Sequence, residues 1–205
     1  MLERGIDQAS GLRKLFGAAP SRRPVCFMAP DAARSRVGVL SLAEGLEGYG
    51  ISAQVDGRPG AHARGALRLV DDPRRLGDPA QLACGIDLVV QGVAGPTGIT
   101  DLYRHIKRLV GSYRVERLGV VLVGPVDPGL GERCRANLAD ALDRFMGARV
   151  EIWGSLGAGR AFQRAAAAGT SVQSLDRDGD ESREFDRLAG HLAGSVGPQA
   201  GPAMH

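Results

Sequence analysis

The sequence predicts an α/β protein: a three-layer, mostly parallel sheet flanked by helices, with a short helix ahead of it. Three observations predict this class. Residues 25–55 read as strand, loop, helix and strand, a βαβ opening in which Val39, Leu42, Ala43 and Leu46 fall on one helical face. Apolar runs of strand length then alternate with amphipathic stretches to the end of the chain, the pattern of parallel strands joined by helical crossovers. Leu118–Val123 is apolar without interruption, as a strand buried on both faces must be.

Taken in order, residues 1–17 hold a short amphipathic helix. Asp7 stands in its first turn, Leu12, Leu15 and Phe16 form its stripe, and Gly17 and Pro20 close it. On spacing alone it packs back on its own domain. Residues 18–24 are a linker, residues 25–195 the α/β domain, and residues 196–205, rich in glycine and proline, a disordered tail. Within the domain, Val25–Ala29 is the first strand. Residues 30–38 (PDAARSRVG) read as a loop, with the helix following from Val39. Ile51–Val55 and Ala66–Val70 are strands that end at Asp56 and Asp71. Residues 79–85 are a short helix, and Ile86–Gly92 is a strand. Thr100–Val110 is a helix with Leu102, Ile106 and Leu109 inward. Leu130–Met146 is a long helix with Leu138, Leu142 and Phe145 inward. Val150–Trp153 is a short last strand, and Arg160–Ala168 and Glu181–Ala193 are helices, the last with Phe185, Leu188 and Leu192 at helical spacing.

Charge and composition exclude several classes. A net charge of +3 spread along the chain indicates no nucleic-acid face. No apolar run reaches the ~18–20 residues of a membrane span, and Met1 leads into a polar stretch unlike a secretory signal. Three cysteines, Cys26, Cys84 and Cys134, without CxxC spacing read as reduced thiols in a cytoplasmic protein. Four histidines, His62, His105, His191 and His205, lack metal-ligand spacing, and His105 and His191 read as helix-surface residues. Only two lysines, Lys14 and Lys107, stand against 24 arginines. Neither lysine follows a glycine-rich turn, so a lysine-bearing phosphate loop has no candidate.

Two features could carry chemistry. Asp56 and Asp71 close strands on the edge where doubly wound sheets place their sites. As a pair they could hold a hydrated Mg²⁺, or they could merely cap loops and helices. Residues 154–162 (GSLGAGRAF) offer a GxG ahead of a helix, a weak anion-nest signal. No catalytic set assembles, and no metal site.

Three stretches resemble the MinD/ParA-type ATPases, and within them the branch of flagellar number regulators called FlhG or FleN. Asp7-Gln8-Ala9-Ser10-Gly11-Leu12-Arg13 is similar to that branch's DQAxxLR motif. Residues 96–107 (PTGITDLYRHIK) are similar to its PTSITDAYALIK. Trp153-Gly154-Ser155-Leu156 and the RAFQRA helix resemble its glycine turn and following helix. The resemblance spans roughly residues 6–195 and implies a P-loop NTPase-like fold. Laid on the family's GKGGVGKT loop, the chain reads Ala29-Pro30-Asp31-Ala32-Ala33-Arg34-Ser35-Arg36. Pro30 stands at the signature lysine, Ser35 at the phosphate lysine and Arg36 at the Mg²⁺-binding hydroxyl. Gly124 stands at the adenine-contacting asparagine. Asp56 and Asp71 match the two family aspartates and are vestigial nucleotide-site acids.

The resemblance therefore implies a pseudo-ATPase with no ATP or Mg²⁺ cofactor and no catalytic residue. It implies an FlhG-like regulator that binds and stimulates an FlhF-type signal-recognition-particle GTPase through Asp7, Gln8, Ala9, Gly11, Leu12 and Arg13. It also implies a monomeric cytoplasmic protein, brought to the cell pole by partners, with no stable membrane anchor. Two alternatives stay open. One is an ATPase with an atypical loop that uses Arg34 or Arg36 with Asp56 and Asp71. The other is an adaptor whose folded core docks flagellar switch proteins or a flagellar transcription factor.

Overall fold

A computed structural model describes residues 24–56, 67–76, 85–124, 128–146, 150–156 and 159–196. The helix read at 1–17, linker residues 18–23, residues 79–84 and the tail from residue 197 lie outside the described residues.

Six strands form one sheet in the order β2-β3-β1-β4-β5-β6, and every pairing is parallel. They are β1 (Val25–Met28), β2 (Ala53–Val55), β3 (Leu67–Val70), β4 (Ile86–Val93), β5 (Val115–Val123) and β6 (Val150–Leu156). The helices are α1 (Ala32–Gly48), α2 (Pro96–Ser112), α3 (Pro128–Met146), α4 (Arg160–Ala168), the one-turn α5 (Val172–Leu175) and α6 (Asp180–Val196). The fold is the three-layer α/β class that the apolar pattern predicts.

Period-two alternation sorts the strand residues between two cores. Val25, Phe27, Val89 and Val121 face α1, α4 and α6, where Leu42, Leu46, Phe162, Phe185 and Leu188 meet them. Cys26, Leu88, Val90, Leu118 and Leu122 face α2 and α3, beneath Leu102, Ile106, Leu138 and Leu142. Phe185 joins two rings in the first core, with centroids 6.4 Å from Phe27 and 5.8 Å from Phe162. Helix α1 lies so close to β1 that a Cβ on Gly38 would come within 2.1 Å of the Phe27 ring.

The structure corrects several boundaries. The stretch read as a loop over 30–38 is helix from Ala32 on, because the Asp31 side chain caps the helix there and Gly38 serves packing rather than a turn. Strand β6 continues to Leu156. Its pairing Val121↔Gly154, Leu122↔Ser155 and Val123↔Leu156 holds residues that read as a glycine turn. Helix α2 starts at Pro96, a position that suits proline in a first turn. The 3₁₀ turn Pro73–Leu76 and α5 carry no strong sequence signal. Helix α6 runs past Ala193 to Val196. The short link between Asp56 and Asp71 joins an ordinary parallel pair, with Ala53↔Leu67 and Val55↔Leu69 in register.

Candidate functional site

Strand β1 is the topological switch point: the chain places β3 on one side of it and β4 on the other. In open α/β sheets ligands bind at the carboxyl edge there. The residues at that edge are mostly engaged with one another.

Between β1 and α1 lie only Ala29, Pro30 and Asp31. The Arg34 backbone N–H donates to Asp31 Oδ1 at 2.8 Å, so a carboxylate of the chain itself occupies the helix N-terminus that would otherwise face an anion. Ser35, 2% exposed, ties helix to strand. Its Oγ accepts from the Ala29 N–H at 2.9 Å and donates to the Asp31 carbonyl at 3.0 Å. Arg34 turns back to Asp31 at 3.5 Å.

The two acids expected at the site are both held by arginines. Arg68 pairs with Asp56 in a two-pronged contact, Nε to Oδ1 at 3.0 Å and Nη2 to Oδ2 at 2.7 Å. Arg36 donates to the Asp56 backbone carbonyl and lies 3.8 Å from Asp71 Oδ2. Arg75 reaches Asp71 Oδ1 at 3.3 Å, an ion pair whose acid is 9% exposed. Arg36 thus joins the ends of β2 and β3. A cation stands where a carboxylate-bound metal would be the other solution. Cys26 lies beneath this edge, and burial first, then Asp72 and Asp71, push its thiol well above its ordinary value.

The GxG ahead of α4 is filled in the same way. Gly159 caps the helix with φ 70°, and the Glu181 carboxylate accepts from the Phe162 N–H at 2.8 Å and the Ala161 N–H at 3.3 Å. The sequence reading missed Glu181, Arg68 and Arg75. Glu181 sits 20 residues from the amides it caps, so no local pattern marks it. Gly124, at the expected adenine position, follows β5 with φ 138°. Asp7, Gln8, Ala9, Gly11, Leu12 and Arg13 lie outside the described residues.

His105 is half-buried rather than a free surface residue. Burial, and secondarily Arg108, hold its imidazole below the usual histidine range. It lines a crevice of about 330 Å³ between the end of β4 and α2, with Pro30, Gln91, Val93 and Arg108.

The arrangement is a parallel α/β fold of the MinD kind in which the described residues at the carboxyl edge are mostly engaged with one another. The MinD cell division protein of Aquifex aeolicus superposes with a TM-score of 0.57 at 12% identity, covering 89% of this chain and 100% of that one. A chain of the MinC:MinD cell division protein complex of the same organism gives 0.54 at 11% identity, covering 89% of this chain and 99% of that one. These likenesses are of fold. A histidine–tRNA ligase of Sorangium cellulosum (strain So ce56) is 33% identical over 117 residues, 54% of this chain. The chain spans 26% of that ligase's length. No family model matches the chain. Among the described residues, no helix is long and apolar enough to cross a membrane.

Proposed function

We propose that this chain is an FlhG-like regulator of flagellar number or placement that does not hydrolyse ATP. It binds and stimulates an FlhF-type GTPase through its N-terminal helix. The observation that carries the loss of nucleotide chemistry is the self-capped start of α1. The Asp31 carboxylate lies on the Arg34 amide, and Ser35 stands at the family's phosphate lysine. A triphosphate would have to displace that carboxylate. It would do so without the lysine and amide cradle, whose charge-assisted hydrogen bonds are worth about 1.5–3 kcal/mol each. Support for the GTPase contact comes from the Asp7–Arg13 motif. By that resemblance Gln8 helps order the partner's catalytic water and Arg13 pairs with an acid or phosphate.

The atypical-ATPase reading needs Arg34 or Arg36 free for phosphate. Arg34 is paired with Asp31, and Arg36 with the Asp56 carbonyl and Asp71. Calorimetry with Mg-ATP at high protein concentration gives no heat on the proposed reading, and saturable heat would restore the ATPase. GTP turnover by the FlhF-type enzyme rises with full-length protein and with a peptide of residues 1–20. The double variant Gln8→Ala, Arg13→Ala abolishes the rise. Equal stimulation by that variant would refute the contact. Capture of flagellar switch proteins or a flagellar transcription factor by protein lacking residues 1–20 would favour the adaptor.

A further inference from the structure

Among the described residues, a crevice opens at the switch point between β4 and α2, and none of Asp56, Asp71, Arg36 or Glu181 lines it. Close packing at two glycines shapes it. A Cβ on Gly98 would meet the Val93 carbonyl at 2.2 Å, and one on Gly92 would meet Leu102 at 2.5 Å. Its apolar wall is Pro30, Val93 and Leu102. Val93, at the end of β4, is 50% exposed.

Two polar atoms of its lining residues lack hydrogen-bond partners. Gln91, 6% exposed, lines the crevice, and its Oε1 has no hydrogen-bond partner. Buried amides are normally satisfied, so an unpaired one invites a ligand. His105 Nε2 is likewise buried and unpaired. Arg108 Nη2 stands 3.5 Å from His105 Nδ1. A guanidinium only donates, so Nδ1 accepts and Nε2 carries the proton. The lowered histidine pKa keeps the ring neutral near pH 7. Oxygen and nitrogen of the Gln91 amide interchange by a half-turn, so it can offer N–H to the crevice. Asp101, the acid on the wall, is neutralised by Arg104 at 2.7 Å.

We propose that this crevice binds a small monocarboxylate with an apolar body. The carboxylate would accept from the Gln91 amide, His105 Nε2–H and the Arg108 guanidinium, while its carbons lie on Pro30, Val93 and Leu102. None of the observations behind this proposal involves residues 1–17, so it does not rest on the GTPase contact proposed for them.

The test follows the His105 ring nitrogens by NMR, with calorimetry, while butyrate, hexanoate or benzoate is added to the full-length protein. Their primary amides serve as controls. At least one acid binds with a dissociation constant of about 1 mM or below and moves the Nε2 signal, and its amide does not bind. Arg108→Ala removes an exposed cation without disturbing the core and weakens binding about tenfold or more. Gln91→Leu does the same from inside the crevice. No response to any acid at about 10 mM overturns the proposal. So does equal binding of the amides, or wild-type affinity in Arg108→Ala.

Discussion

Ser35→Ala isolates the latch that ties α1 to the end of β1. The Ser35 hydroxyl is the acceptor for the buried Ala29 N–H at 2.9 Å, and Ala29 is 6% exposed. Alanine leaves that amide without a partner, out of reach of water. An orphaned buried donor costs about 1–3 kcal/mol. The bond to the Asp31 carbonyl adds less, because that oxygen still accepts from the Ser35 N–H at 3.0 Å. The loss of one oxygen is too small a void to matter beside the amide. The expected destabilisation is therefore about 1–3 kcal/mol, or roughly 2–4 °C in Tm per kcal/mol for a chain of this size. Urea unfolding is the assay, and the denaturant slope should not change, since the exposed surface is the same. Asp31→Ala, which removes only an exposed cap, should cost about 0.5–2 kcal/mol. A Ser35→Ala midpoint indistinguishable from wild type at constant slope would refute the latch. It would mean that β1 and α1 are held together by apolar packing alone.

Gly38→Ala sets two effects against each other. Helix propensity favours alanine by about 1 kcal/mol. Its Cβ, however, would lie 2.1 Å from Phe27 Cε1, so the ring or the helix must move, and overpacking of this kind costs about 1–3 kcal/mol or more. Net destabilisation in urea is expected, partly relieved by Phe27→Leu in the same chain, and a stabilised Gly38→Ala would show that the helix can shift freely. Cys26 gives a pH test. Its folded pKa lies above the ordinary 9.0 because of burial. Its contribution to stability is therefore complete below about pH 9 and fades as pH rises toward the folded value. Native protein should resist iodoacetamide at Cys26 at pH 8, read by peptide mapping, and react there once unfolded. Ready native labelling would contradict the burial.

Local periodicity made the cores legible and long-range pairing hid the site. Leu102, Ile106 and Leu109 on α2, and Phe185, Leu188 and Leu192 on α6, are buried as their spacing predicts. Residues 30–38 read as a loop because Pro30 and Gly38 bracket them, yet Pro30, Asp31 and two alanines are also the local signal of an N-cap ahead of helix formers. Gly154 reads as a breaker, yet β5 supplies a full pairing register that keeps it in β6. Arg36 meeting Asp56 and Asp71, Arg68 meeting Asp56 and Glu181 capping α4 all depend on tertiary placement, for which one sequence offers no signal.

These missed contacts follow one rule. Among the described residues, four carboxylates at the sheet edge are matched internally: Asp31 by the Arg34 amide, Glu181 by the Ala161 and Phe162 amides, Asp56 by Arg68, and Asp71 by the charges of Arg36 and Arg75. On the function proposed above, an incoming triphosphate that draws on Arg36, Arg68 or Arg75 uncovers Asp56 or Asp71. Freeing a largely buried carboxylate such as Asp71 costs about 3–5 kcal/mol, more than one new charge-assisted hydrogen bond returns. On that proposed function, charge already balanced inside the fold opposes a polyanion in addition to the absent glycines. Gln91 Oε1 and His105 Nε2 at the crevice have no hydrogen-bond partner, so the carboxylate proposed there displaces no arginine–carboxylate pair.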